Sequence, residues 1–145
     1  MGKPVFNLRV YGLLFNDKDE VLVSEQFYLN VQLIKFPGGG VHFGEGLLDA
    51  LKREFYEEME LEIEVEDHFY TTDFFVPSAF HKDNQVISVY YTVKPKNKDL
   101  LENITDFKSP DGEILHWRKI AQLEEDDFPL PIEKVVCRLL KERKK

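Results

Sequence analysis

Three glutamates, Glu54, Glu57 and Glu58, stand at positions i, i+3 and i+4 of one stretch of the sequence. If the stretch is helical, with about 3.6 residues per turn, the three carboxylates share one patch of the helix surface. Like charges at this spacing repel, and a carboxylate beside apolar packing is costly unless a cation neutralises it. The spacing therefore indicates a divalent metal site.

The groups available at this patch favour a particular kind of metal. Carboxylate oxygens, backbone carbonyls and water are hard ligands, and no cysteine or dedicated histidine stands among the three glutamates. Such a donor set suits Mg²⁺, with Mn²⁺ as a substitute, rather than Zn²⁺. We expect Mg²⁺ as the cofactor.

Three consecutive glycines, Gly38, Gly39 and Gly40, precede the glutamates and follow an apolar run that Pro37 closes. They predict a sharp turn at the end of a strand, where the backbone can lie close to a phosphate or a metal ion. We therefore expect these glycines to bind substrate, with the Gly39 carbonyl as an additional metal ligand.

Glu45 and Arg53 lie between the glycines and the glutamates, and Gly46 is expected to cap the helix. We interpret Glu45 and Arg53 first as an ion pair that holds the loop against the helix, rather than as direct participants in chemistry. Arg53 nevertheless stays in the candidate set. The candidate catalytic residues are Arg53, Glu54, Glu57 and Glu58; the candidate metal ligands are Gly39, Glu54, Glu57 and Glu58.

The stretch from Gly39 to Leu61 closely resembles the Nudix box, a pattern of glycine, glutamate and arginine at fixed spacing. The matching positions are Gly39, Glu45, Arg53, Glu54, Phe55, Glu57, Glu58 and Leu61. One position departs, because Glu60 stands where the family has a glycine that helps to end the helix. The preceding Phe36-Pro37-Gly38-Gly39 and the later Trp117 are similar to further landmarks of the family.

The resemblance implies metal-assisted hydrolysis of a diphosphate bond. Glu57 and Glu58 would hold Mg²⁺, and Glu54 would be a further ligand or the group that orients or deprotonates the attacking water. The spacing does not divide ligand from base among the three. Some members of the family carry the general base beyond the box, which makes Asp111 and Glu113 alternatives, although a solvated turn is the preferred interpretation of both.

Substrate choice lies outside the box. Pro77, sixteen residues beyond Leu61, is similar to a proline of the ADP-ribose pyrophosphatase subgroup. It slightly favours a nucleoside diphosphate linked to another group, such as ADP-ribose or a nucleotide sugar, over a nucleoside triphosphate of the MutT-like kind. A downstream aromatic segment has the chemistry to stack a nucleobase, but core packing is the preferred explanation. Its members are Phe69, Tyr70, Phe74, Phe75 and Phe80.

A non-catalytic Nudix-fold module that binds nucleotides for regulation is the remaining alternative. Glu60 in place of glycine motivates it, and the full set of box carboxylates disfavours it.

Length and composition are consistent with one domain over residues 1–145, and the resemblance implies that it is a Nudix hydrolase domain. The chain is 43% hydrophobic, and a domain of this length buries about two thirds of its unfolded surface. A net charge of −8 disfavours duplex nucleic acid as a partner. Because the sequence lacks a signal peptide and any apolar run of membrane length, we expect a cytoplasmic protein with a small-molecule nucleotide as substrate and no membrane partner. A homodimer is left open.

The elements that must position these residues alternate between strands and helices. Hydrophobic periodicity predicts strands near residues 6–15, 21–29, 33–37, 63–69, 86–93 and 113–117. The first two are expected to form a hairpin. The box helix should bury a stripe of Leu47, Leu48, Leu51, Phe55 and Met59, and a second amphipathic helix should begin near Pro131. The resemblance implies an α+β fold with a mixed β-sheet sandwiched between helices, the α/β/α Nudix fold.

Overall fold

The structure, a computed structural model, describes residues 3–110 and 112–143. The strands in these ranges are β1 (Val5–Leu14), β2 (Glu20–Tyr28), β3 (Val31–Lys35), β4 (Gly38–Gly40), β5 (Ile63–Thr71), β6 (Asn84–Pro95) and β7 (Ile114–Lys119). The α-helices are α1 (Leu47–Met59) and α2 (Pro131–Arg143), and short 3₁₀ turns lie between residues 98 and 127. Both helices begin where the sequence predicts.

The strands form two sheets. One has the order β4-β1-β6-β5, in which β1 and β6 are parallel and the other neighbours antiparallel; the other is antiparallel with the order β3-β2-β7. Apolar side chains of α1 and α2 pack into two separate core clusters, each shared with strands of both sheets. The α+β prediction, with mixed β-structure between helices, is confirmed, although the strands divide into two sheets.

The predicted hairpin of β1 and β2 is wrong. A single antiparallel bridge joins Phe15 to Val21, and the Asn16 N–H donates to the Glu20 carbonyl at 3.2 Å. Beyond that turn the strands enter different sheets. Each already has a partner on both edges, β4 and β6 for β1 and β3 and β7 for β2, so neither has a free edge for the other.

The glycine run is a short strand rather than the predicted sharp turn. The chain crosses from one sheet to the other at Pro37, whose carbonyl accepts a hydrogen bond of 2.9 Å from the Gly12 N–H. Gly39 then pairs with Val10 of β1. Gly38 has a φ of +150°, and a Cβ atom there would overlap the Val10 carbonyl oxygen, so this position requires glycine.

The buried face of α1 follows the predicted stripe with one exception. Leu51, Phe55 and Met59 are buried, whereas Leu48 is 44% exposed and Ala50 is fully buried in its place. One member of the predicted stripe is therefore wrong: in the first turn, Ala50 rather than Leu48 faces the strands.

Both ends of α1 have well-defined caps. Gly46 is the N-terminal cap, as predicted. Glu60 is the C-terminal cap in the left-handed conformation, with φ 53°, and its N–H donates to the Tyr56 carbonyl at 2.9 Å. The helix thus ends where the family glycine would end it, and a non-glycine residue in this conformation costs about 1 kcal/mol.

Candidate active site

The glutamates of α1 face the glycine strand β4. A Cβ atom at Gly39 would overlap the Glu54 carboxylate, so glycine allows that carboxylate to lie directly against the strand backbone. Burial raises the pKa of Glu54, and the charge of Glu57 raises it further, although the Arg53 guanidinium opposes this shift. The close backbone approach predicted at Gly39 is present, and the group that makes it is a carboxylate.

Glu58 is the most deeply buried carboxylate of the box. It is 6% exposed, and its Oε2 atom has no hydrogen-bond partner among the described residues. Burial, followed by the charges of Glu113 and Glu54, raises the pKa of Glu58 to about 9, although Lys35 and a hydrogen bond from the Gly38 N–H act in the opposite direction. A buried acceptor without a partner is costly, and a cation would relieve that cost.

Glu113 is buried beside Glu58. It is 7% exposed, its Oε2 also lacks a partner within the described ranges, and its Oε1 lies 3.6 Å from the Lys35 Nζ. The interpretation of Glu113 as a solvated turn residue is therefore wrong. Asp111, the other predicted alternative, lies outside the described residues.

Sheet register explains why Glu113, a candidate base in the sequence analysis, is buried rather than solvated as preferred there. Ser24 of β2 pairs with Lys35 on one side and with Leu115 on the other, so these residues form one row across the sheet. Because side chains alternate along a strand, Glu113 lies on the same face as Leu115 and Lys35. Two strands far apart in sequence create this contact, and no local pattern reveals it.

Arg53 holds the loop, the strand and the helix together. Its Nε and one terminal nitrogen bind the two Glu45 carboxylate oxygens at 2.6 and 2.9 Å, and the same terminal nitrogen donates to the Gly40 carbonyl at 2.9 Å. The hydrogen bond from Arg53 lowers the pKa of Glu45 to about 2. The predicted ion pair between loop and helix is confirmed.

Glu57 lies on the solvent side of the site. Its side chain is 56% exposed and accepts a 3.1 Å hydrogen bond from Arg53. The structure thus brings Glu54, Glu58 and Glu113 together and keeps Glu57 beside Arg53. Among residues 3–110 and 112–143, no three acidic, histidine or cysteine side chains already stand close enough to hold a metal ion.

This donor set fits Mg²⁺ even so. Mg²⁺ keeps several water ligands and is commonly bound by one or two carboxylates together with substrate phosphates, rather than by an all-protein cage. The Oε2 atoms of Glu58 and Glu113 are hard, buried acceptors without a partner in the part of the chain that the structure describes, and they match this kind of site.

A cleft of about 360 Å³ lies beside the carboxylates, where the two sheets meet. Strands β1, β3 and β6, the segment 76–81 and the start of α2 line it, including Pro77 and Phe80. Of the other downstream aromatic residues, Phe69 and Tyr70 pack against the core as preferred. Phe74 and Phe75 are exposed, so core packing is the wrong explanation for those two.

Glu133 of α2 also lines the cleft and was missed by the sequence analysis. It is 7% exposed and accepts a 3.2 Å hydrogen bond from the Tyr90 hydroxyl. Burial raises its pKa to about 7. One signal was present: Glu133, Val136, Cys137 and Leu140 follow helical spacing, so an acid occupies the apolar stripe of α2.

The fold and the site can be compared with those of known protein families. The chain matches the NUDIX domain over residues 5–139, and it belongs to the Nudix family. Nudix hydrolases act on small nucleotide substrates and generally use divalent metals such as Mg²⁺.

Individual relatives agree with this assignment. The chain is 29% identical over 107 residues to an 8-oxo-dGTP diphosphatase of Buchnera aphidicola, an alignment covering 74% of this chain and 77% of that protein. A NUDIX hydrolase structure from Nitrosomonas europaea superposes with a TM-score of 0.73 at 19% identity, covering 99% of this chain and 91% of that one. A MutT protein from Methanosarcina mazei gives a TM-score of 0.67 at 21% identity, covering 100% and 99%. The family and the diphosphatase relative indicate a pyrophosphohydrolase.

Neither helix in the described part of the chain has the length and apolar character needed to cross a membrane. Cytoplasmic location, the exclusion of duplex nucleic acid and the oligomeric state stay predictions.

Proposed function

We propose that residues 1–145 act as one Nudix hydrolase domain that cleaves a diphosphate bond of a nucleotide with Mg²⁺. The observation that carries the proposal is the pair of buried carboxylate oxygens of Glu58 and Glu113 that lack a hydrogen-bond partner among the described residues, with Glu54 beside them against β4. Three neighbouring carboxylates require a positive charge close by, and a divalent cation that also binds the phosphates of a substrate would supply it.

Glu54 and Glu58 would hold the metal, and Glu57 would join them from the solvent side. When bound, Mg²⁺ neutralises phosphoryl charge and lowers the pKa of a coordinated water. The backbone of β4 contributes as well. Pro37 and Val41 hydrogen-bond to β1 and alternate with Gly38 and Gly40, so the peptide groups of those two glycines point away from β1. We therefore propose the Gly38 carbonyl as a ligand in preference to that of Gly39, whose peptide group points toward β1.

The remaining residues of the site position groups and accept a proton. Arg53 fixes β4 against α1 through Gly40 and Glu45. Glu113, or Glu54 if it is not a metal ligand, would take the proton of the attacking water, because both carboxylates lie at the site and neighbour Glu58. Variants of each to glutamine, compared by their pH profiles of kcat, assign the base.

Two substrate classes remain, each with a specific observation in its favour. Pro77 lines the cleft, which supports a nucleoside diphosphate linked to another group, such as ADP-ribose or a nucleotide sugar. The relative named as an 8-oxo-dGTP diphosphatase supports a nucleoside triphosphate.

A substrate panel with identification of both products tests the proposal. We expect turnover of at least one compound with Mg²⁺ or Mn²⁺, cleavage at a diphosphate bond and no turnover in chelator. Release of a nucleoside monophosphate with pyrophosphate indicates the triphosphate class, and release with a sugar phosphate indicates the linked class. A folded protein that is inert across the panel with both metals would refute the hydrolase.

The box carboxylate on the solvent side provides a separate test. We expect Glu57→Gln to abolish turnover while leaving the fold intact, because Glu57 is exposed and contributes little to packing. Glu66→Gln, an exposed glutamate of β5, is the matched control and should behave as wild type. Full activity of Glu57→Gln with unaltered metal dependence would remove Glu57 from the site.

A further inference from the structure

Lys35 connects the carboxylate site to the cleft. Its ammonium group lies 3.6 Å from Glu113, its side chain is only partly exposed, and it also lines the cleft. Its positive charge lowers the pKa of both Glu58, on the carboxylate side, and Glu133, on the cleft side. Lys35 therefore stands at the boundary between the two regions.

Arg9 of β1, like Lys35 of β3, lies between the carboxylate site and the cleft. It pairs with Gly40 of the glycine strand, and its terminal nitrogen is the nearest heavy atom to a Cβ built at Gly40, at 3.8 Å. Its charge acts on both Glu54 and Glu133, and it lines the same cleft. Arg9 and Lys35 thus flank one passage from the carboxylates into the cleft.

The Arg9 guanidinium is held in a fixed orientation. Its Nε donates to the Tyr11 hydroxyl at 2.5 Å, and the Tyr11 ring stacks on Tyr90 at 5.2 Å. This is its one side-chain hydrogen bond within residues 3–110 and 112–143. Its terminal nitrogens can therefore donate to another acceptor, and a planar guanidinium donates in pairs to phosphate oxygens.

The local charge of this passage is opposite in sign to the net charge of the chain. The protein carries a net charge of −8, yet the cleft presents two cations, Arg9 and Lys35, with Glu133 as its carboxylate. Held arginine and lysine side chains beside a metal-type carboxylate site indicate an anion that extends beyond the metal.

We propose that Arg9 and Lys35 form a clamp for the phosphate of a nucleoside monophosphate unit, with the nucleoside in the cleft. This inference rests on the proposed function and specifies which end of the substrate lies where. The cleft volume of about 360 Å³ is in the range of small-molecule sites, roughly 300–1,000 Å³. Both substrate classes named above release a nucleoside monophosphate, so the clamp holds the same product in either case.

The test measures binding without turnover. Calorimetry in chelator compares AMP, GMP, CMP and UMP, each with its nucleoside, on wild type, Lys35→Met, Arg9→Met and the exposed control Lys18→Met. For the nucleotide that wild type binds most tightly, we expect Kd to rise about 10-fold in each clamp variant, as loss of a charge-assisted contact implies. The Kd of the matching nucleoside and the behaviour of Lys18→Met should not change.

A second variant separates the clamp from the fold. Lys35→Met leaves Glu113 without its cation, so Lys35→Met/Glu113→Gln is expected to restore any lost stability without restoring phosphate selectivity. Lys35→Arg should retain most of the selectivity.

Three results would overturn the clamp: equal loss for nucleotide and nucleoside, unchanged Kd in both clamp variants, or no binding of any of the four nucleotides to wild type at millimolar concentration. Failure of the substrate panel with intact phosphate selectivity would reject the hydrolase and keep the clamp. Turnover in the panel without that selectivity would do the reverse.

Discussion

The two helices each bury one glutamate in an apolar face, and the two carboxylates differ in their partners. Glu58 of α1 has an oxygen without a hydrogen-bond partner in the described part of the chain and a pKa raised to about 9 by burial and by the charges of Glu113 and Glu54. Glu133 of α2 accepts a hydrogen bond from Tyr90 and faces Arg9 and Lys35, and burial raises its pKa only to about 7.

The difference separates two uses of a buried acid. A carboxylate that is surrounded by other carboxylates is incomplete until a cation arrives, so Glu58 points to metal binding. A carboxylate that already has a donor and two cations nearby is largely satisfied, so Glu133 contributes to the charge and shape of the cleft. The predictions that follow test this contrast.

Among the tests of this contrast, Glu58→Gln should have the largest effect. We expect kcat with Mg²⁺ to fall by about 10²–10³-fold, because an amide keeps the size of the side chain and removes the charge that the metal needs. Steady-state kinetics on the best compound of the substrate panel measures this, with the exposed Glu142→Gln as control. Turnover near the wild-type rate would place the metal elsewhere.

Glu133→Gln should change the pH dependence of stability. The folded pKa of about 7 lies above the ordinary value of 4.5, so wild type loses stability as the pH rises from about 4.5 to 7. Glutamine cannot ionise and avoids this loss. The free energy of unfolding of the variant, relative to wild type, should therefore rise by about 3 kcal/mol across that window.

Urea unfolding in chelator at pH 4.5, 6 and 8 makes the measurement. Because Glu58 is present in both proteins, its own titration cancels in the difference. A difference that stays constant with pH would show that Glu133 is as well solvated as a surface acid.

Mg²⁺ should stabilise the two glutamine variants differently. At a concentration of about 100 Kd, the ion should add about 2.7 kcal/mol to the unfolding free energy of wild type and of Glu133→Gln. Glu58→Gln should show little of this gain. Thermal unfolding with and without Mg²⁺ distinguishes the three proteins. Equal stabilisation of all three would contradict the proposal that Glu58, and not Glu133, binds the metal.

The smallest effect is expected at Glu60, the C-terminal cap of α1. Glu60→Gly should stabilise the protein by about 1 kcal/mol, because glycine adopts the left-handed conformation of this cap without strain. Glu60→Ala removes the same side chain but keeps the strain, and should give no such gain. Activity should change little, so a large increase in kcat would show that Glu60 impairs the site.

Local spacing accounts for the parts of the site that the sequence reveals. The box helix, its N-terminal cap Gly46 and the Glu45–Arg53 ion pair follow from residues within one short stretch. The pairing of Lys35 with Glu113 depends on the register of β3, β2 and β7, which no local pattern encodes. The glycine strand was mistaken for a turn because glycines permit turns, and its partner β1 lies well before it in the chain.

The single bridge between Phe15 and Val21 lets β1 and β2 part into separate sheets. As a result, the box carboxylates that face β4 lie on α1, while β3 and the segment 76–81 form a wall of the cleft. A laboratory wishing to redirect this enzyme to new substrates would therefore randomise that wall apart from Lys35 and leave the box untouched.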